Sequence, residues 1–206
     1  MRKINSVLVF CGSKEGVQPD YCEQGFLVGQ YLAEQSINVI YGGAKIGVMG
    51  AVADGVLSNG GSITGIIPRF LSAKEIIHEN LTETHVVKTM HERKLMMSEL
   101  ADAIIALPGG FGTLDELFEI LTWAQLGLHQ KPVGLLNTKG YYDGLISFIS
   151  SMGENGFVAP VHQHLLQTDH DIKHLMNKLQ HFVSPPLPHW LHHRSEEHTS
   201  ELQSQF

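Results

Sequence analysis

Short apolar, β-branched runs alternate with longer stretches of helical character along most of the chain, and three of the runs break off directly into glycine turns. The runs span 6–10, 37–41, 62–67, 84–87, 103–107 and 133–136; the helical stretches lie near 20–35, 48–59, 89–101, 113–128, 141–152 and 170–182. Strictly alternating strands and helices predict an α/β fold, Rossmann-like and doubly wound, with a mostly parallel sheet flanked by helices. A length of 206 residues suits a single domain with a full core. That domain is expected over 1–183, followed by an irregular tail over 184–206.

The segment Pro108-Gly109-Gly110-Phe111-Gly112-Thr113-Leu114-Asp115-Glu116 carries the most chemistry. Pro108 closes a strand, two glycines permit a tight turn, and a helix is expected from about Thr113. Leu117, Ile120, Leu121, Ala124 and Leu128 then form one apolar stripe. A glycine turn feeding a helix N-terminus presents unpaired N–H groups and the positive end of the helix dipole, which together suit a phosphate. The pattern lacks the Gly-Lys-Ser/Thr of a Walker loop, and the chain contains no G-x-G-x-x-G. Thr113 and Glu116 also have capping-box spacing, so Glu116 stands between a capping and a catalytic role. The turns Cys11-Gly12-Ser13 and Gly42-Gly43-Ala44 end two further strands. Ligands of open α/β sheets bind beyond such strand ends, which makes Gly12, Ser13, Gly42 and Gly43 candidates for phosphate or ribose contacts.

In the helix expected near 89–101, Met90, Met97, Leu100 and Ala101 share one side, and His91, Glu92, Ser98 and Glu99 the other. At about 100° per residue, Arg93 falls inside the apolar stripe and Lys94 at its edge. An arginine is almost never buried unpaired, so Arg93 must meet an anion, either a protein carboxylate or a ligand. Thr89 and Glu92 form a second capping box.

Composition narrows the partners. A formal net charge of −7 and a pI near 6.0 leave no basic surface for nucleic acid, so a nucleotide bound here is a small molecule free in solution. Cys11 and Cys22 cannot build a disulfide framework, and Cys11, ending an apolar run, reads as a buried small hydrophobe. With no signal-peptide pattern and no apolar stretch long enough for a membrane, a cytoplasmic location is expected. Eight of the 13 histidines fall between 162 and 193, but without zinc-motif spacing they read as surface residues and no metal is expected. The stretch 194–206 reads as a translated sequencing adapter and is set aside; without it 13 basic and 18 acidic residues remain, still an acidic balance.

Taken together, these motifs resemble those of the LONELY GUY-type cytokinin riboside 5′-monophosphate phosphoribohydrolases, many of which have been labelled lysine decarboxylases. The resemblance runs from about Val7 to Gln180. It includes Val9-Phe10-Cys11-Gly12-Ser13, Tyr41-Gly42-Gly43, Gly47-Val48-Met49-Gly50, Met90-His91-Glu92-Arg93-Lys94 and the 108–116 segment. It extends through Thr122-Trp123-Ala124-Gln125-Leu126-Gly127 and Lys131-Pro132-Val133-Gly134-Leu135-Leu136-Asn137. Carried over by position, the resemblance implies that Arg93 and Glu116 are the catalytic pair. It implies that Gly109, Gly110, Phe111, Gly112, Thr113, Leu114 and Asp115 hold the 5′-phosphate and ribose, and that Glu75, Lys94 and Thr122 contact substrate. His129 matches a family position suited to supporting the fold or an interface. Ala44 stands where the family usually has a third glycine, a change that matters only if the backbone there needs a positive φ. A homodimer or higher homo-oligomer is also implied, with the 113–128 helix a candidate interface.

The expected reaction cleaves the N-glycosidic bond of AMP or an N6-modified relative, giving ribose 5-phosphate and free base. Its transition state is oxocarbenium-like, and a carboxylate, here Glu116, stabilises that charge and activates water. Arg93, a poor proton donor, would complement negative charge on phosphate or on the departing base. No cofactor or metal is called for. Two alternatives stand beside this: a nucleotide-binding or sensing module without turnover, and a lysine decarboxylase. The second would need a Schiff-base lysine, and nothing in the chain marks one.

Overall fold

The computed structural model describes residues 1–72 and 77–186. Seven strands, β1 (Ser6–Phe10), β2 (Asn38–Tyr41), β3 (Ile63–Pro68), β4 (Glu83–Val87), β5 (Ala103–Ala106), β6 (Val133–Leu136) and β7 (Leu166–Asp169), form one sheet in the order β4-β3-β2-β1-β5-β6-β7. Every strand pair is parallel. The helices are α1 (Asp20–Glu34), α2 (Gly47–Ser58), α3 (Arg69–Ser72), α4 (Met90–Leu100), α5 (Phe111–Gln125), α6 (Asp143–Glu154) and α7 (Ile172–His181). The doubly wound α/β architecture expected from the alternation is present.

Period-2 alternation in the strands feeds two separate cores. Val7, Val9 and Cys11 of the first strand and its turn point to one side, where Val28 and Leu32 of α1, Val52 and Val56 of α2, and Leu175 and Leu179 of α7 pack. Leu8 and Phe10 point to the other, against Met97 of α4, Leu117 and Ile120 of α5, and Tyr142. With both faces covered, the central strands need apolar residues at every position, which is why they read as continuous apolar runs.

Where expectation and structure differ, the causes are local. Strand β7 has the sequence Leu-Gln-Thr-Asp and is half-buried at the sheet edge, so it lacks the apolar run that marks the inner strands. Helix α5 starts at Phe111 rather than Thr113, and it ends at Gln125, leaving Leu128 67% exposed outside it. In α4, Ser98 is buried and Leu100 exposed, the reverse of the expected faces. Half of the Thr89–Glu92 capping box forms: Glu92 N–H donates to Thr89 Oγ1, but the Glu92 carboxylate accepts from Lys88 N–H, one residue before the cap. The irregular tail lies outside the described residues from position 187 onward. No helix among the described residues is long and apolar enough to cross a membrane.

Strand order reverses between β1 and β5, so their connections leave in opposite directions and open a crevice at the carboxyl ends. The three glycine turns expected at strand ends follow β1, β2 and β5 and meet there.

Candidate active site

A cavity of about 590 Å³ occupies this crevice. Its floor is stitched by backbone hydrogen bonds between turns: Leu107 N–H to Phe10 O at 2.8 Å, Gly12 N–H to Pro108 O at 3.0 Å, and Met49 N–H to Gly12 O at 3.1 Å. Gly12 and Gly109 approach so closely that a Cβ on Gly12 would sit 3.2 Å from Gly109 Cα, and one on Gly109 would overlap Thr113 Oγ1. Gly43 has φ +80°, while Ala44 does not adopt a positive φ, so alanine in place of the family's third glycine is accommodated without strain.

Arg93 of α4 and Glu116 of α5 meet at the wall of this cavity, 7% and 8% exposed. Arg93 Nη1 donates to Glu116 Oε1 at 3.2 Å, and Arg93 Nε donates to Ile66 O at 3.0 Å. The anion that the sequence required for Arg93 is thus a protein carboxylate. Burial pushes the Glu116 carboxyl above the ordinary glutamate range, against the opposing pull of Arg93 and Lys94. Cys11 nearby is buried, and its thiol is pushed well up by the same desolvation, so it stays neutral.

The guanidinium fits because Gly42 has no side chain; a Cβ there would overlap Arg93 Nη2 and Met49 Cε. A methionine end can swing aside, but the guanidinium cannot move without leaving Glu116. Gly42→Ala is therefore expected to lower kcat/KM by about 100-fold, the scale of a 1 Å misplacement, and to lower the melting temperature as well, because it disrupts a buried ion pair. Steady-state kinetics and a thermal melt on one preparation check it.

The first turn of α5 supplies the other half of the site. Gly110 occupies the N-cap position with no side-chain cap, so the amides of Phe111, Gly112 and Thr113 find no acceptor within the helix. Thr113 is not the cap. It is buried in the third helical position against Gly109, and Glu116 turns to Arg93 rather than back to the backbone. The capping-box reading is thereby overturned: with the helix starting two residues earlier, Thr113 lies inside it.

A sequence model of the family described as "possible lysine decarboxylase" matches residues 49–179. The cytokinin riboside 5′-monophosphate phosphoribohydrolase LOG1 of Arabidopsis thaliana is 44% identical over 181 residues, covering 88% of this chain and 85% of that protein. A probable enzyme of the same name from Oryza sativa subsp. japonica, LOGL9, is 43% identical over 181 residues, covering 88% and 80%. The chain belongs to the LONELY GUY (LOG) family. More distant folds agree in architecture: a molybdenum cofactor binding protein from Rippkaea orientalis superposes with TM-score 0.64 at 22% identity, covering 86% of this chain and 95% of that one.

For this LOG-family chain, the cavity wall gathers Gly12, Ser13, Gly42 and Gly43 with Gly109, Gly110, Phe111, Gly112, Thr113 and Asp115, alongside Arg93 and Glu116. Three expected contacts lie elsewhere. Leu114 packs half-buried against the core, and Thr122 is exposed, donating its hydroxyl to Phe118 O. Lys94 stands outside the cavity wall, clamped by Asp115 at 2.6 Å and Glu119 at 3.0 Å. Burial alone would lower its ammonium pKa, but those two bonds outweigh it and hold the amine protonated, which does not fit a Schiff-base lysine. Glu75 lies outside the described residues.

Sequence reading missed Tyr21 and Tyr141, which also line the cavity; no motif marks them, and they sit far from the glycine segment in sequence. Met90, quoted within the Arg93 motif but given no role, lines it too. It placed His129 correctly as a support. His129 Nε2 bonds Ile120 O at 2.9 Å near the end of α5, and Lys131 Nζ donates to Ser98 O at the end of α4, so one short loop ties together the two helices that carry the pair.

Proposed function

We propose that the chain hydrolyses the N-glycosidic bond of AMP-type nucleotides, releasing an adenine-type base and ribose 5-phosphate. The observation that carries this reading is the pairing, on one helix, of uncapped first-turn amides with a buried carboxylate. Residues three to five apart are separated by about 5–7 Å along a helix, comparable to the reach from a 5′-phosphate to the anomeric carbon of its ribose. Phosphate at the amides of Phe111, Gly112 and Thr113 then sets C1′ over Glu116.

In the reaction, the C1′–N9 bond breaks and the base departs with its electron pair. A water oxygen bonds to C1′ and passes one proton to Glu116, the departing base takes up one proton from solvent, and Glu116 returns its proton to solvent to close the cycle. The carboxylate opposes the positive charge that develops on the sugar. Arg93, locked to Glu116 Oε1, orients that carboxylate, a different duty from the phosphate or base contact the sequence suggested. No cofactor or metal enters the scheme.

A substrate preference is supported by the apolar part of the cavity wall, to which Ile67, Leu71, Ile77 and Met90 contribute. That wall favours a base carrying an apolar N6 substituent over unsubstituted adenine. Incubation with AMP and with N6-isopentenyl AMP, followed by chromatography, should show free base from both, with higher kcat/KM for the second. Release of base from neither overturns the reading. We also propose a cytoplasmic homodimer or larger homo-oligomer. Its support is the outer face of α5, where Thr122 is exposed beside Leu126 and, just beyond, Leu128.

A further inference from the structure

Three successive carbonyl oxygens just beyond β5 are held by side chains or backbone from two other turns, the one after β1 and the one before α6. Tyr142 Oη donates to Leu107 O at 2.8 Å, Gly12 N–H to Pro108 O at 3.0 Å, and Tyr141 Oη to Gly109 O at 2.7 Å. Because a peptide unit is planar, fixing its carbonyl also fixes the N–H of the next residue. The bond from Tyr141 therefore sets the Gly109–Gly110 peptide, the last one before the uncapped turn of α5.

The two tyrosines differ in kind. Tyr142 is 2% exposed and belongs to the core, with its own N–H bonded to Asn137 Oδ1 at 2.7 Å. Tyr141 is 44% exposed and lines the cavity. Its ring stands edge-on between Tyr21, 5.4 Å away at 72°, and Tyr142, 4.7 Å away at 81°. A costly local backbone delivers it there. Lys139 at φ +52° and Gly140 at φ +72° are both left-handed, and for a lysine that conformation is unfavourable by about 1 kcal/mol or more. Lys139 in turn pairs with Asp20 at 3.0 Å, beside Tyr21. The start of α1 and this turn are thus matched twice, once by charge and once by ring contact.

We propose that Tyr141 is a positioning residue for the phosphate subsite: its hydroxyl holds the Gly109–Gly110 peptide in the orientation that binds the substrate phosphate. The inference rests on the phosphoribohydrolase reading, and it assigns Tyr141 a share in substrate binding rather than in bond cleavage.

Tyr141→Phe removes the hydroxyl and keeps both ring contacts. From the loss of one hydrogen bond, KM for the nucleotide should rise about three- to tenfold, with kcat falling less than KM rises. The dissociation constant for ribose 5-phosphate, measured by calorimetry, should rise by a similar factor, and the melting temperature should hold. A tyrosine with a merely structural role would lower the melting temperature and kcat and leave KM unchanged, and that result overturns the proposal. Equal binding of ribose 5-phosphate by both proteins overturns it as well, whether or not base is released. If the wild-type protein releases no base but binds ribose 5-phosphate more tightly than the variant, the catalytic reading fails and the positioning role stands. Absence of ribose 5-phosphate binding by the wild-type protein sinks both.

Discussion

Glu116→Gln should abolish base release, by roughly 10²–10⁴-fold in kcat, and leave a folded protein. The amide is isosteric, and its oxygen still accepts from Arg93 Nη1, so the contact at 3.2 Å survives while the negative charge and the basicity are lost. Only a role in the chemistry predicts so large a loss from so small a change. Full activity in this variant would return Glu116 to a structural duty. The wild-type pH profile offers a second reading of the same group. Its carboxyl titrates above the ordinary value of 4.5 because burial disfavours the charged form. Since the reaction uses the carboxylate, activity must rise with pH through that elevated pKa, and the acid limb of kcat/KM, which reports the free protein, should lie above pH 4.5. In the Gln variant the residual rate should lose that limb.

Arg93→Met should cost both activity and stability. It removes the counter-charge of a carboxylate that is 8% exposed and leaves Ile66 O without its donor. Breaking a buried pair from one side typically destabilises by about 3–5 kcal/mol. The sign of the pH dependence identifies the cause. Without Arg93 the Glu116 pKa in the folded state moves further above its unfolded value. The folded state then binds the proton more tightly than the unfolded one. The variant is closest to wild-type stability below the unfolded pKa, and falls away as pH rises through the folded pKa. Urea denaturation of both proteins across that range measures it. A deficit that does not depend on pH would mean that lost packing, not an orphaned carboxylate, is responsible.

Much of this was legible before any coordinates, and the pattern of what was not is instructive. The inner strands announce themselves because burial on two faces demands apolar residues at every position, whereas β7, half-buried at the edge, is under no such demand. Arg93 betrayed itself by standing in an apolar stripe, but its partner is 23 residues away on another helix, a distance that helical periodicity does not bridge. Thr113 and Glu116 mimicked a cap because capping spacing and one helical turn are the same interval, and only the true start of α5 separates them. Tyr141 was invisible for a plainer reason. Its contribution is a hydroxyl aimed at a carbonyl 32 residues earlier, and tyrosines in a turn carry no pattern that says so.

Gly42 shows what such blindness means for the way these proteins change over time. Its contribution to the site is an unoccupied volume, held open for a guanidinium that arrives from a helix some fifty positions later in the chain. Every substitution away from glycine adds atoms to that volume. In a library of point variants selected for activity, position 42 should therefore tolerate as little as the charged pair itself. The lineage would be free to remodel the apolar wall and so its choice of base, while the hollow beneath the sugar stays closed to variation.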